Sequence, residues 1–161
     1  MKIVLLITVT LALTLVHAWN DQPCQKNNNN NANNQFVLKH ILPEGFDINS
    51  MDKWKEHLKG KDVCKPGRSK QSFLKSSDKD KVGKICGDGG HLFKGNFCIS
   101  DSTMLVYNFE VNKNCDITKG PDTTNNPVIV ACDEIDSKCV PVHFEKYIEG
   151  KVTDYHERCS P

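Results

Sequence analysis

Three residues of this chain have side chains that could do chemistry together. They are His40 in Phe36-Val37-Leu38-Lys39-His40-Ile41, Lys65 in Cys64-Lys65-Pro66, and His143 in Val140-Pro141-Val142-His143-Phe144. Two imidazoles and an ammonium are what metal-free cleavage of RNA requires. One imidazole takes the proton of the 2′-hydroxyl, the other gives a proton to the leaving oxygen, and the cation offsets charge building on phosphorus. The scheme needs no cofactor and no metal. The three residues lie far apart in sequence, so the elements that carry them must bring them together.

Those elements are partly readable. Residues 25–34 are polar and low in complexity, a run of asparagines broken by Ala32. Such a run buries too little surface to offset its ordering entropy, which predicts a flexible arm over 19–34. Asn34 is placed to cap a short helix that sets Phe36 and His40 four apart on one face, ended by Pro43 and Gly45. The spacing of Met51, Trp54 and Leu58 predicts a second helix over 49–59. A third fits 77–85, with Ser77 as cap, Asp78 and Asp80 in the first turn, and Val82 and Ile85 facing inward.

From Phe97 onward β-formers dominate, with strands predicted at Thr103–Phe109 and Val128–Ala131 and turns at 119–122 and 124–127. Alternation along the last strand sends His143 opposite to Val142 and Phe144. Helices early and strands late predict an α+β domain with an antiparallel sheet. No repeat or linker divides residues 35–161, so they read as one domain.

Lys2, the apolar run Ile3–Val16 and the small-residue site Val16-His17-Ala18 read as a signal peptide over 1–18, too short for a membrane span. All eight cysteines follow it. That usage suits a disulfide framework in a secreted, extracellular protein. The rival use, a metal site, lacks any Cys-x-x-Cys or His-x-x-x-His pair at ligand spacing. The chain has 21 Lys plus Arg against 20 Asp plus Glu, and loss of Lys2 with the leader brings it to neutrality. Bulk basicity therefore cannot hold a nucleic acid; a local cluster must. The same balance supplies no cationic amphipathic stretch for membrane disruption.

Several landmarks recur in an order that resembles the pancreatic ribonuclease A superfamily. They are Phe36-x-x-x-His40, Cys64-Lys65-Pro66, Val82-Gly83-Lys84-Ile85-Cys86, Ser102-Thr103-Met104, Val128-Ile129-Val130-Ala131-Cys132 and Pro141-Val142-His143-Phe144. Together they cover residues 35–145. Lys39-His40-Ile41, the Val-x-x-Ile-Cys helix end and a cysteine near the C-terminus resemble the amphibian branch of secreted ribonucleases more than the mammalian one. The resemblance implies three helices packed on a bent antiparallel sheet.

It also implies roles. His40 would be the general base, His143 the general acid and Lys65 the cation that stabilises the transition state. Lys39 stands beside the base, where many members have glutamine, and would contact phosphate. Phe144 would offer a backbone N–H to the phosphate. Glu145 occupies the place of an aspartate that orients the acid imidazole. Base recognition, in a family that usually reads Cys-Lys-x-x-Asn-Thr-Phe, would fall to Gln71 and Ser72 and imply cleavage after pyrimidines. Here the run from Lys65 to Phe73 is three residues longer, and Gly67-Arg68-Ser69-Lys70 adds two cations. An insertion that shifts Lys65 by ~1 Å could cost ~100-fold in rate.

By the same resemblance Cys64 pairs with Cys115, Cys86 with Cys132 and Cys139 with Cys159; elimination then leaves Cys24 for Cys98. One family bridge has no counterpart, because the region of Ile48 lacks cysteine and Phe109 falls near the expected partner position. His57, His91 and His156 receive no role. A second reading stays open: a secreted binding or defence protein on the same fold, lectin-like toward cell-surface glycans or cytotoxic, with vestigial catalysis. Neither reading calls for DNA, stable membrane insertion or more than a monomer.

Overall fold

All three helices lie in the first half of the described chain, and most of the strands follow them. The computed structural model describes residues 20–61, 63–64, 67–147 and 155–160, so the leader at 1–18 and Lys65 lie outside the described residues. The elements are β1 (Gln25–Lys26), α1 (Ala32–His40), α2 (Met51–Gly60), β2 (Lys70–Leu74), a 3₁₀ turn (Ser76–Asp78) leading into α3 (Lys79–Lys84), β3 (Gly90–Lys94), β4 (Phe97–Ser100), β5 (Met104–Val111), β6 (Ile117–Asn126), β7 (Val128–Ile135) and β8 (Lys138–Tyr147). α2 starts where Ser50 Oγ accepts the Lys53 N–H at 3.3 Å, and Trp54 and Leu58, four apart, are fully buried.

The strands form two sheets rather than one, and one of them is mixed. In the first, β7 is flanked by antiparallel β8 and β4, β3 follows β4, and β1 pairs with β7 in parallel. In the second, the order is β2-β5-β6, all antiparallel. Two clusters make the core. Phe36, Ile41, Leu74, Val82, Ile85, Val106, Val130 and Phe144 gather where α1 and α3 meet the first sheet and the adjoining ends of β2 and β5. Leu42, Trp54, Leu58, Val63, Phe73, Tyr107, Phe109 and Val111 cluster between α2 and the second.

The asparagine-rich segment, expected as a flexible arm, is built into the first sheet. Cys24 N–H donates to Cys132 O at 3.0 Å and Asn27 N–H to Glu134 O at 2.9 Å. Buried Asp133 accepts from the side-chain amides of Asn20, Asn27 and Asn96 at 2.8, 2.7 and 3.0 Å. Asn27 and Asn29 then each accept the N–H two residues ahead, at 2.8 and 3.1 Å. These are side-chain turns that deliver the chain to α1 at Ala32, earlier than a cap at Asn34 would. A polar run is ordered here because its amides find partners, which composition cannot report.

Two of the expected disulfide pairings are corrected. Cys64–Cys115 and Cys86–Cys132 are bonded, but Cys24 joins Cys139 and Cys98 joins Cys159, with Cα separations of 4.9 and 5.6 Å. The reason is placement. β1 lies against β7 beside Glu134, whose β8 partner is Cys139. Residues 155–160 run along β3, where Leu92 N–H donates to Glu157 O and Cys159 N–H to Gly90 O, bringing Cys159 to β4. Arg158 completes that seam with Nη1 2.8 Å from Asp101 Oδ2.

The turn expected at 119–122 is a bulge inside β6. Lys119 pairs with Glu110 and Asp122 with Asn108, leaving Gly120 and Pro121 opposite Phe109. Gly120 sits at φ +104°, and a Cβ there would collide with the Asn108 carbonyl, so no other residue fits this approach.

Candidate active site

α1 reaches its place by being tied at both ends. Asn33 Nδ2 donates to Pro141 O of β8 at 2.7 Å, and beyond the helix Leu42 N–H donates to Leu74 O of β2 at 2.8 Å. His40, the last residue of α1, is thereby held between β2 and β8. Its ring lies 5.6 Å from Phe36, one turn back, and stacks on Phe144 at 5.4 Å with planes 23° apart. His40 Nδ1 lies 3.0 Å from Ser72 O. A carbonyl only accepts, so Nδ1 carries the proton and Nε2 presents the lone pair of a base.

His143 sits on β8 with its Nε2–H directed to Glu145 Oε2 at 3.3 Å. His143, Phe144 and Glu145 all border one cleft of about 810 Å³ that also holds His40, and His143 and Phe144, paired in turn with Ala131 and Val130, keep the expected alternation. The strand is irregular on either side of that pair. Pairing with β7 slips past Val142 between Cys132↔Pro141 and Ala131↔His143, and past Glu145 between Val130↔Phe144 and Ile129↔Lys146. Bulges break the two-residue period and re-aim side chains.

Electrostatics sets both imidazoles low. Burial pushes His40 from 6.5 to about 4; the Ser72 carbonyl opposes this, while the positive His143, Arg68 and Lys39 add to it. Burial also lowers His143, against the hydrogen bond and negative charge of Glu145, with Arg68 lowering it further. Both rings therefore favour the neutral form in the free protein.

Of the other residues proposed from sequence, Lys39, Gln71 and Ser72 line the same cleft. Gln71 is buried and its Nε2 donates to Val63 O and Arg68 O at 3.0 and 3.1 Å. Its amide nitrogen thus holds the loop rather than reaching for a base. Ser72 Oγ donates to Asn108 Oδ1 at 2.8 Å, and Asn108 Nδ2 lies 3.4 Å from Thr124 Oγ1. Asn108 was invisible to sequence reasoning, because only the β2–β5 register makes it the cross-strand partner of Ser72. Arg68 also lines the cleft; it was visible as an inserted cation but had no assigned place.

Three solved structures share this arrangement of helices and sheets. Green turtle egg white ribonuclease matches with a TM-score of 0.59 at 18% identity, over 73% of this chain and 98% of its own. The fold is that of the pancreatic-type ribonucleases. Zebrafish RNase5 matches at TM-score 0.55 and 17% identity, covering 71% of this chain and 92% of its own. SS-RNase-2 des116-120 matches at TM-score 0.55 and 20% identity, covering 73% and 96%. No protein-family model and no curated protein matches the chain. The ribonuclease fold is thus recognised through its geometry. Among the described residues no helix is long and apolar enough to cross a membrane.

Proposed function

We propose that this protein is a secreted RNA endonuclease acting by transphosphorylation. The observation that carries the reading is the pairing of two differently held imidazoles in one cleft. His40 has its Nδ1–H on a carbonyl and is a neutral base, while His143 is bonded to a carboxylate that supports its charged form. His40 Nε2 takes the proton of the 2′-hydroxyl, and the 2′-oxygen forms a bond to phosphorus. The bond from phosphorus to the 5′-oxygen breaks, and the His143 imidazolium protonates that oxygen. The products are a 2′,3′-cyclic phosphate and a free 5′-hydroxyl. Lys65 is the cation assigned to the phosphorane charge, and the Phe144 backbone N–H and Lys39 are assigned to the phosphate oxygens. DNA resists cleavage because it lacks the nucleophile.

Base preference follows from Ser72. Its hydroxyl proton is committed to Asn108, so its oxygen is left to accept. Uracil offers N3–H to such an acceptor, whereas cytosine N3 needs a donor. Within the pyrimidine preference that the family resemblance implies, uridine is favoured. The four disulfides suit an extracellular location.

The test is cleavage of a dinucleotide panel with product analysis. His40→Ala and His143→Ala should each lower kcat by ~10²–10⁴, and EDTA should leave the rate unchanged. Cleavage lost to EDTA, or retained in His143→Ala, sinks the mechanism. Glycan binding that survives His40→Ala in a protein with negligible native cleavage would favour the lectin-like reading instead.

A further inference from the structure

The loop between Cys64 and β2 carries a cation into the cleft. Arg68 lines it together with Lys39, His40 and His143. The other charges around the cleft have opposite charges close by. Lys119 Nζ is 3.3 Å from Asp122 Oδ2. Glu110 faces Lys70 of β2 and Lys119 of β6 across the strand register. Glu145 is occupied by His143. Among the described residues Arg68 and Lys39 have no acidic partner. Uncompensated guanidinium beside two imidazoles, in a concave site, is the chemistry of an anion pocket.

The loop that presents Arg68 is held on both sides. Buried Gln71 bridges it by donating to both Val63 O and Arg68 O. One residue on, Ser69 O accepts the Val111 N–H of β5 at 2.7 Å. Gly67, at φ +83°, turns the chain into this position. The contact from Gln71 goes to the Arg68 carbonyl, so it fixes the backbone whatever side chain stands there.

We infer that Arg68 is a phosphate-binding residue that grips the scissile phosphate between the two histidines, and that Gln71 is its positioning residue. The guanidinium fork matches two non-bridging oxygens at once, which an ammonium cannot do. The identity of the phosphate's carrier rests on the ribonuclease reading; the anion pocket itself does not. The charge of Arg68 reaches both imidazoles and disfavours the imidazolium of each. A phosphate seated on Arg68 reverses that influence, so binding substrate also helps to charge the acid.

The test uses the full disulfide-bonded protein, inorganic phosphate as probe, and the ring resonances of His40 and His143 in NMR titrations at low salt. Arg68→Gln should weaken phosphate binding about tenfold or more, the loss of one charge-assisted contact. Arg68→Lys should fall between the two. Lys70→Gln, which removes the same charge from the adjoining strand, should change it by less than about twofold. Gln71→Ala should weaken binding with Arg68 present but add nothing in the Arg68→Gln background, a coupling that general loss of structure would not produce. The same Arg68→Gln change should lower kcat/KM on a dinucleotide by a similar factor, more steeply at low salt.

Phosphate binding unchanged in Arg68→Gln, or equally weakened in Lys70→Gln, overturns the inference. Loss in Gln71→Ala that persists in the Arg68→Gln background removes its positioning half. Phosphate held through Arg68 by a protein that cuts no RNA would keep the pocket and reject the ribonuclease reading. RNA cut normally by a variant with unchanged phosphate affinity would do the reverse.

Discussion

The pH dependence of cleavage separates the roles of the two histidines. His40 must be neutral to act as a base, and burial holds it at about 4, so it remains competent through mildly acid solution. Charging it in place costs ~3 kcal/mol relative to an ordinary histidine. His143 must be charged, and burial sets it below 6.5 despite Glu145. Because kcat/KM reports the free enzyme, the bell should be displaced to acid, with a lower limb near 4 and an upper limb below 6.5. Taking 6.5 as the upper bound for His143, at most about a tenth of it is charged at about pH 7.5. Lowering the pH to about 5.5 should then raise kcat/KM tenfold or more, roughly the gain in imidazolium.

Glu145→Gln assigns the limbs. It removes the negative charge that raises His143 and leaves only a neutral acceptor for its Nε2–H, so the upper limb should move further to acid while the lower limb stays in place. The assay is initial-rate cleavage of a fluorogenic dinucleotide below KM, at fixed ionic strength. An optimum at or above neutrality would refute the reasoning, as would a lower limb near 6.5 or an upper limb that rises in Glu145→Gln. Each would mean that the buried ring is not the base or that Glu145 does not hold the acid.

Other expectations concern specificity and stability. UpA should be cut faster than CpA, and Asn108→Ala should narrow that ratio by freeing the Ser72 hydroxyl to donate, as measured by kcat/KM for the two dinucleotides. His57 is 8% exposed, lies among Phe46 and Phe73, and is held at about 4 by burial first and Lys61 second. Its folded pKa lies below the unfolded 6.5, so its contribution is intact above 6.5 and is lost as pH falls toward 4, up to ~3 kcal/mol. Denaturant unfolding of His57→Leu should show a shallower pH slope in that window. Peptide mapping should recover Cys24 with Cys139 and Cys98 with Cys159. Replacing Cys24 and Cys139 together by serine should lower stability by about 2–4 kcal/mol, read in urea titrations.

What the sequence made legible was what local pattern controls. Trp54 and Leu58 announced α2 because one helical face carries its core contacts, and Val128–Ala131 announced a strand through its run of β-formers, all of them buried in the structure. What escaped was pairing. Asp133 orders the asparagine run, but Asn20, Asn27 and Asn96 meet it only once β1 lies against β7. The same parallel contact redirects Cys24 from Cys98 to Cys139. At the site, spacing nominated His40 and His143 from their motifs. It also set Phe144 opposite to His143, as their consecutive pairing with Val130 and Ala131 bears out, but the bulges at Val142 and Glu145 leave no mark in composition.

The two halves of the cleft are held by different means, and this bears on where its rate is set. Three disulfides, Cys24–Cys139, Cys86–Cys132 and Cys98–Cys159, all staple the first sheet, which backs His40 through Phe36 and Phe144 and His143 through Phe97. The side that carries the loop from Cys64 to β2 has one, Cys64–Cys115. There the bridge expected near Ile48 is replaced by packing. Trp54 Nε1 donates to Ile48 O at 2.9 Å, and its ring lies 4.7 Å from Phe46 and 4.6 Å from Phe109. Aromatic packing can match a staple in energy, but it limits motion less than a covalent link does. The histidines are thus fixed by chemistry that a single substitution rarely shifts, while the cationic loop rests on a core that adjusts. Since ~1 Å of misplacement is worth ~100-fold in rate, differences in activity should arise on the Arg68 side of the cleft before they arise on the imidazole side.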